Sequence, residues 1–193
     1  MAKNELTKLI ENLDRIGSSI VVSGPSRAAK RTIKELQQEG PSWTGRFSNS
    51  YQIETPDGRV YKGDGQPGEP RPIKLPIGLL TGRQNIRGSV PLKDRAVTTI
   101  SNFSDYVAEA TDLVESKFLR PTPQPTTALG RRKLQESSEG RFEKPNYRGD
   151  YGGGGPGEGS GATADLDWFP NYVEGGKVDR AVRIEMDDFF KEL

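Results

Sequence analysis

The sequence predicts an α+β fold: N-terminal helices packed on a small, mostly antiparallel β-sheet, then a long basic loop, an extended Gly/Pro-rich arm and a C-terminal helix. Three observations carry this expectation. Apolar residues recur at helical spacing up to Gly40-Pro41, the period then switches to two, and a helical pattern returns near the C-terminus.

Leu6, Leu9, Ile10, Leu13, Ile16 and Ile20 fall at three- and four-residue steps and give a first helix one apolar face. Pro25 suits the first turn of a second helix, with Ser23 as its cap and Ala28, Ala29, Ile33 and Leu36 on its face. Gly24-Pro25 therefore reads as a break or kink, and Gly40-Pro41 as the stop. Beyond it Phe47, Asn49, Tyr51 and Ile53 alternate with Ser48, Ser50 and Gln52, as in a half-buried strand. Pro56-Asp57-Gly58 is a turn signal, and residues 59–62 read as the returning strand of a hairpin. Residues 96–103 are rich in β-branched side chains and predict a further strand. Val182, Met186, Phe189, Phe190 and Leu193 supply an apolar face for a closing helix.

The helix-to-strand junction is the candidate site: Trp43, Thr44, Gly45, Arg46 and Phe47. Gly45 is expected to sit at a tight backbone approach or a positive φ, so that Gly45→Val costs on the order of 1–3 kcal/mol. Trp43 and Phe47 are expected to anchor the strand to the helices.

Composition limits what such a chain can do. Of 193 residues only 32% are hydrophobic, 23 are Gly and 14 Pro, and mean hydropathy is −0.73, so a modest core with partner-dependent arms is expected. With no Cys and no His there are no disulfides, thiolate or imidazole metal ligands, or His-based triads. The chain is read as a non-enzyme without a cofactor or metal. The N-terminus lacks a signal pattern and no stretch has the length of a membrane span, which predicts a soluble product made in the cytoplasm with no membrane partner.

Charge is balanced at +1 overall but unevenly placed. Residues 59–95 hold eight basic side chains, Arg71, Lys74, Arg83 and Arg87 among them, against three acidic ones, with five prolines keeping the segment extended. Residues 165–193 are acidic, with 8 Asp and Glu against 4 Lys and Arg. The basic loop is read as a solvated surface, as a contact with another subunit or layer, or as a face toward DNA. Ser23-Gly24-Pro25-Ser26 lacks the remaining elements of a phosphate loop and is read as a helix start. Residues 149–161, with eight glycines, form a linker rather than a dinucleotide fingerprint. Asp187-Asp188 reads as the wet face of a helix rather than a metal site.

The order of motifs resembles the minor tail-component family of tailed bacteriophages. The matching positions are Pro41, Thr44, Gly45 and Arg46, then Asn102, Tyr106 and Val107, then Phe118, Leu119, Arg120 and Pro121, with the closing helix near residues 180–193. The resemblance implies a structural virion protein of the neck or tail: a head–tail joining or tail-completion component, terminator-like, that assembles as a ring linking the head connector to the tail. Its partners are then further copies of itself, about six with about twelve as the alternative, together with other neck, connector and tail proteins, and DNA in the lumen without sequence specificity. A DNA-binding accessory module is the alternative function.

The organisation expected is a core domain at 1–121 with a Pro-rich basic loop at 63–95, an extended arm at 122–164, and an aromatic cluster with the closing helix at 165–193. Subunit or layer contacts are expected at Arg71, Lys74, Arg83, Arg87, Tyr106, Phe118, Arg120, Trp168, Phe169 and Tyr172. The glycine tract is expected to let the Trp168 region and the closing helix reach a neighbouring subunit or an adjacent neck protein, the alternative being that the aromatic cluster folds back onto its own helices. A pocket joining two of Glu109, Asp112 and Glu115 would instead signal a carboxylate hydrolase.

Overall fold

The computed structural model describes residues 5, 7–8, 10, 12–13, 16–17, 19–81, 97–111, 124–138, 163–164 and 168–192. The fold is α+β, with helices around a three-stranded antiparallel sheet.

The described residues before 18 are helical, and a π-helical turn at Ser19–Ser23 runs directly into α1 (Gly24–Glu39). Gly24-Pro25 is thus neither a break nor a capped start: Ser23 keeps helical dihedrals and makes no capping bond. Pro25 has no N–H to give, and a proline ring crowds the carbonyl one turn back, so the wider π turn immediately before it accommodates the ring. Ser26 Oγ donates to the Val22 carbonyl at 2.6 Å. At the other end Gly40 adopts an extended conformation, as a residue before proline must, and its N–H closes on Leu36 O at 2.9 Å.

β1 (Tyr51–Glu54) is the central strand, paired with β2 (Val60–Lys62) on one side and β3 (Thr99–Asn102) on the other. The β1–β2 hairpin closes through Gly58 N to Thr55 O at 2.8 Å with Gly58 at φ 79, the turn that Pro56-Asp57-Gly58 signals. The strand begins later than the alternation suggests. Residues 46–49 form a turn, closed by Asn49 N to Gly45 O at 3.0 Å, and Phe47, Ser48, Asn49 and Ser50 are all buried.

The core joins Val22, Ala29, Ile33 and Leu36 to Phe47, Tyr51 and Ile53, and then to side chains from two unexpected places. Ile73, Leu75 and Leu79 come from the Pro-rich segment, whose residues 77–80 form a short helix, α2 (Ile77–Leu80). Trp168 and Tyr172 come from α5 (Trp168–Glu174). Between them in sequence lie α3 (Val107–Ala110) and α4 (Ala128–Ser138). The part of the expected basic loop described here is therefore core-forming, because its apolar residues fall in the gaps between prolines. The expected arm is likewise not all extended, since eleven of its residues form α4.

These insertions displace the first helix from the role its pattern suggested. Ile10 and Leu13 are 50% and 59% exposed, and the space against α1 is filled by α5 and by α6 (Lys177–Glu192). On α6 Phe189 is buried and Met186 half-buried as their face predicts, but Ala181 is buried with them while Val182 and Phe190 stay exposed, so the buried face is rotated from the full stripe expected. Arg27 fixes this packing: Nε donates to Glu185 at 2.9 Å, Nη1 and Nη2 donate to Glu192 at 2.6 and 3.1 Å, and the guanidinium lies over the Phe189 ring. In the described chain, then, the closing helix docks on its own α1.

Candidate functional site

Backbone accounting shows what the junction is. Peptide carbonyls buried without partners are costly, and a loop that turns sharply between helix and strand has no ladder to satisfy them. Here all eight carbonyls from Gly40 to Phe47 accept a bond. Lys133 Nζ donates to Gly40 O at 2.7 Å, Ser48 Oγ to Pro41 O at 3.3 Å, Thr127 Oγ1 to Ser42 O at 2.5 Å, and Thr126 N to Trp43 O at 2.9 Å. Gly68 N donates to Thr44 O at 2.8 Å, Asn49 N to Gly45 O at 3.0 Å, Ser50 Oγ to Arg46 O at 2.7 Å, and Asn102 Nδ2 to Phe47 O at 3.0 Å. Three of the donors lie in residues 48–50, just past the junction, and the other five come from α4 and the residues before it, from the 63–71 loop, and from the end of β3. The junction is therefore a hub that ties distant segments together.

Gly45 sits at φ 76, and a Cβ there would lie 1.7 Å from Gly68 O. The positive φ and close approach expected of this glycine are both present. Gly130 meets the junction from the other side, where a Cβ would fall 2.3 Å from Ser42 O. Thr127 has a double role: its hydroxyl donates to Ser42 O and accepts from Gly130 N at 2.9 Å, which caps α4. Asn49, 1% exposed, spends its amide on the loop: Nδ2 donates to Gln66 O at 2.9 Å and Glu69 O at 3.2 Å, and Oδ1 accepts from Arg71 N at 2.9 Å. Gln37 Nε2 from α1 donates to Ser48 O and Arg71 O at 2.7 and 2.9 Å. Two buried amides thus fold the segment onto the helix.

Of the junction residues, Trp43 and Phe47 are buried and Arg46 is exposed. Phe47 meets Tyr51 edge-on at 5.5 Å, Trp168 at 6.1 Å and Tyr106 at 6.4 Å. Burial raises the Tyr106 hydroxyl pKa, against the opposing effects of Arg46 and a hydrogen bond with Thr44. The other expected contact residues divide. Lys74 is exposed, and Arg71 is exposed with its guanidinium paired to Asp64. Trp168 and Tyr172 are core residues, 5% and 1% exposed, with Phe169 half-buried against Trp168, so this cluster is an internal anchor of the chain rather than an outward docking surface. The reason is the Trp168 indole, which donates to Ala110 O at 2.7 Å while its ring covers Gly40 and Phe47. Arg83, Arg87, Phe118 and Arg120 lie outside the described residues, as do Asp112, Glu115 and the side chain of Glu109.

Sequence reasoning missed Asn49, Gly68, Thr127, Gly130 and Lys133 as parts of this site. Only Thr127 left a signal, a hydroxyl preceding Ala128-Leu129 in the manner of a helix cap. Among the described residues no group of His, Cys, Asp and Glu is placed to hold a metal ion, and no helix is long and apolar enough to cross a membrane. Comparison with protein-family models, with curated proteins and with solved structures returns no match.

Lys133 is the titratable group built into the hub. It is 6% exposed, and burial outweighs the attraction of Glu39 and Glu136 to bring its amine down to about 8. The unfolded chain holds that proton up to the ordinary lysine range. Below pH 8 both states are protonated and the cost of burying the charge is constant. Above it the unfolded state binds more protons, so stability rises with pH, by roughly 2–3 kcal/mol by pH 10. The neutral amine still donates to Gly40 O, so the bond survives deprotonation. Above pH 10 the Tyr51 and Tyr172 hydroxyls, held protonated chiefly by burial, oppose the gain. Urea unfolding from pH 7.5 to 10 should show this rise in the native protein, and a flatter profile in Lys133→Met.

Proposed function

We propose that this chain is a structural component of a tailed-phage virion neck, a ring-forming head–tail joining or tail-completion protein. The observation that carries the reading is the convergence of residues on which the resemblance stands. Thr44, Gly45 and Arg46 lie more than fifty residues before Asn102 and Tyr106, yet the Tyr106 hydroxyl is hydrogen-bonded with Thr44 and feels the Arg46 charge, and Asn102 donates to the carbonyl of Phe47, the residue after Arg46. Phe118, Leu119, Arg120 and Pro121 lie outside the described residues; the described members of the set share one hub. The chemistry of that hub also suits a building block. Its polar groups are spent on backbone carbonyls, which gives rigidity, and a closed ring needs subunits that repeat one geometry.

Native mass spectrometry and electron microscopy of the purified full chain test the reading. A closed ring of about six copies is expected, with about twelve as the alternative. A chain that stays monomeric alone and is also monomeric or absent in virion-derived neck particles overturns it. An accessory DNA-binding module would show itself differently, by binding duplex DNA with an affinity that falls steeply as salt rises.

A further inference from the structure

The outer face of α1 borders a groove of about 850 Å³, bounded by residues 72–81 and by α6. Its floor is aliphatic, made of Ile33, Ile73, Leu80 and Ile184. Its rim is charged, and each carboxylate there is already engaged: Glu35 with Arg31, Glu39 with Lys177, Glu185 with Arg27 and Arg31, and Glu192 with Arg27. Lys30, Lys34 and Arg180 line the same groove, and none has a carboxylate partner among the described residues. Among the described residues the groove thus carries six cations against four carboxylates, and Lys30, Lys34 and Arg180 are the cations left over once the carboxylates are paired.

The neighbouring stretch of α1 shows what such a surface takes. There α6 is seated by a buried Phe189 and by Glu185 and Glu192 on Arg27, an apolar stripe flanked by carboxylates. Arg27, Glu185 and Glu192 also form one end of the groove's rim, so the groove runs on along α1 from that seat. Lys30 and Lys34 are one helical turn apart on α1, so their ammonium groups match two carboxylates spaced one turn apart on a facing helix. Nucleic acid fits less well, because single strands are held by stacking on aromatic side chains and no aromatic residue is among the described lining. We propose that this groove binds an acidic amphipathic helix of a partner protein, its Leu or Ile stripe on the aliphatic floor and its Glu or Asp side chains on Lys30, Lys34 and Arg180. The proposal goes beyond the neck reading and does not rest on it: peptide binding reports on the groove, and particle mass reports on the ring.

The test is fluorescence anisotropy of the full chain with a labelled, amidated helical peptide of Leu, Ala and Glu, having Leu at helical spacing and Glu pairs one turn apart. A twin peptide carries Gln at every Glu, and an unlabelled DNA duplex serves as competitor. Saturable binding is expected, weaker by at least about tenfold for the Gln twin and for the double variant Lys30→Glu, Lys34→Glu, and by several-fold for Arg180→Glu. Lys34 and Arg180 are exposed and Lys30 is half-buried, and circular dichroism establishes that the variants remain folded. Equal binding of the Gln twin, indifference to charge reversal, or no saturable binding overturns the proposal. So does duplex DNA that binds the chain, fails with the same variants, and leaves the peptide without a site.

Discussion

Gly45→Ala should destabilise the protein by at least about 3 kcal/mol, more than the left-handed backbone alone explains. A non-glycine residue at φ 76 costs about 1–2 kcal/mol. The added methyl would also sit 1.7 Å from Gly68 O and 3.0 Å from Thr127 Cγ2, where the first neighbour is backbone and cannot swing aside. The 63–71 loop must then move, and the bond from Gly68 N to Thr44 O is lost with it. Gly58 separates the two effects. It has nearly the same dihedral, φ 79, but open space where its Cβ would go, so Gly58→Ala should cost only the backbone term. Urea denaturation of both variants measures the difference. Equal losses would mean that the Gly45–Gly68 approach contributes nothing; Gly45→Val should exceed Gly45→Ala, and so exceed the roughly 1–3 kcal/mol expected from backbone strain alone, because the clash with Gly68 O adds to it.

Trp168→Ala should cost roughly 3–5 kcal/mol, the range for emptying a buried aromatic site. α5 has seven residues, too few to be stable as an isolated helix, so it depends on what it buries. Trp168 supplies much of that burial, edge-on to Phe47 at 6.1 Å and to Phe169 at 5.5 Å, and its indole N–H is spent on Ala110 O. Truncation opens a cavity against Gly40 and removes the bond from the indole to Ala110 O. Trp168→Phe keeps most of the ring but loses the donor, and should recover all but about 1–2 kcal/mol. A loss below 1 kcal/mol for Trp168→Ala would show that α5 and α6 fold apart from the rest. The same pair of variants bears on subunit exchange. If α5 and α6 reach a neighbouring copy in a ring, Trp168→Ala should also release the ring into smaller species at unchanged protein concentration.

Local patterns in the amino-acid order were enough to place α1, its stop at Gly40-Pro41, the β1–β2 hairpin, β3, the closing helix and the glycine pivot. Each is decided within a few residues: helical spacing of apolar side chains, an extended residue before proline, a turn that needs a positive φ, β-branched residues in a row. What local patterns could not decide is which apolar face meets which. The stripe on the first helix and the face of α6 both satisfy helical periodicity, but only packing determines that α6 turns Ala181 and Phe189 inward while Ile10 and Leu13 remain outside. The Pro-rich segment was misread for a related reason. Proline argues against a regular ladder but not against burial, and the amides of Asn49 and Gln37 supply the bonds that let residues 66–71 fold onto the core. Lys133 and Thr127 were invisible as partners of Gly40 and Ser42, which lie more than eighty residues away. A hydrogen bond over that separation leaves no period or spacing in a single sequence. It exists because compaction strips water from the Gly40–Phe47 carbonyls, and the tertiary structure must then find donors for them wherever in the chain they lie.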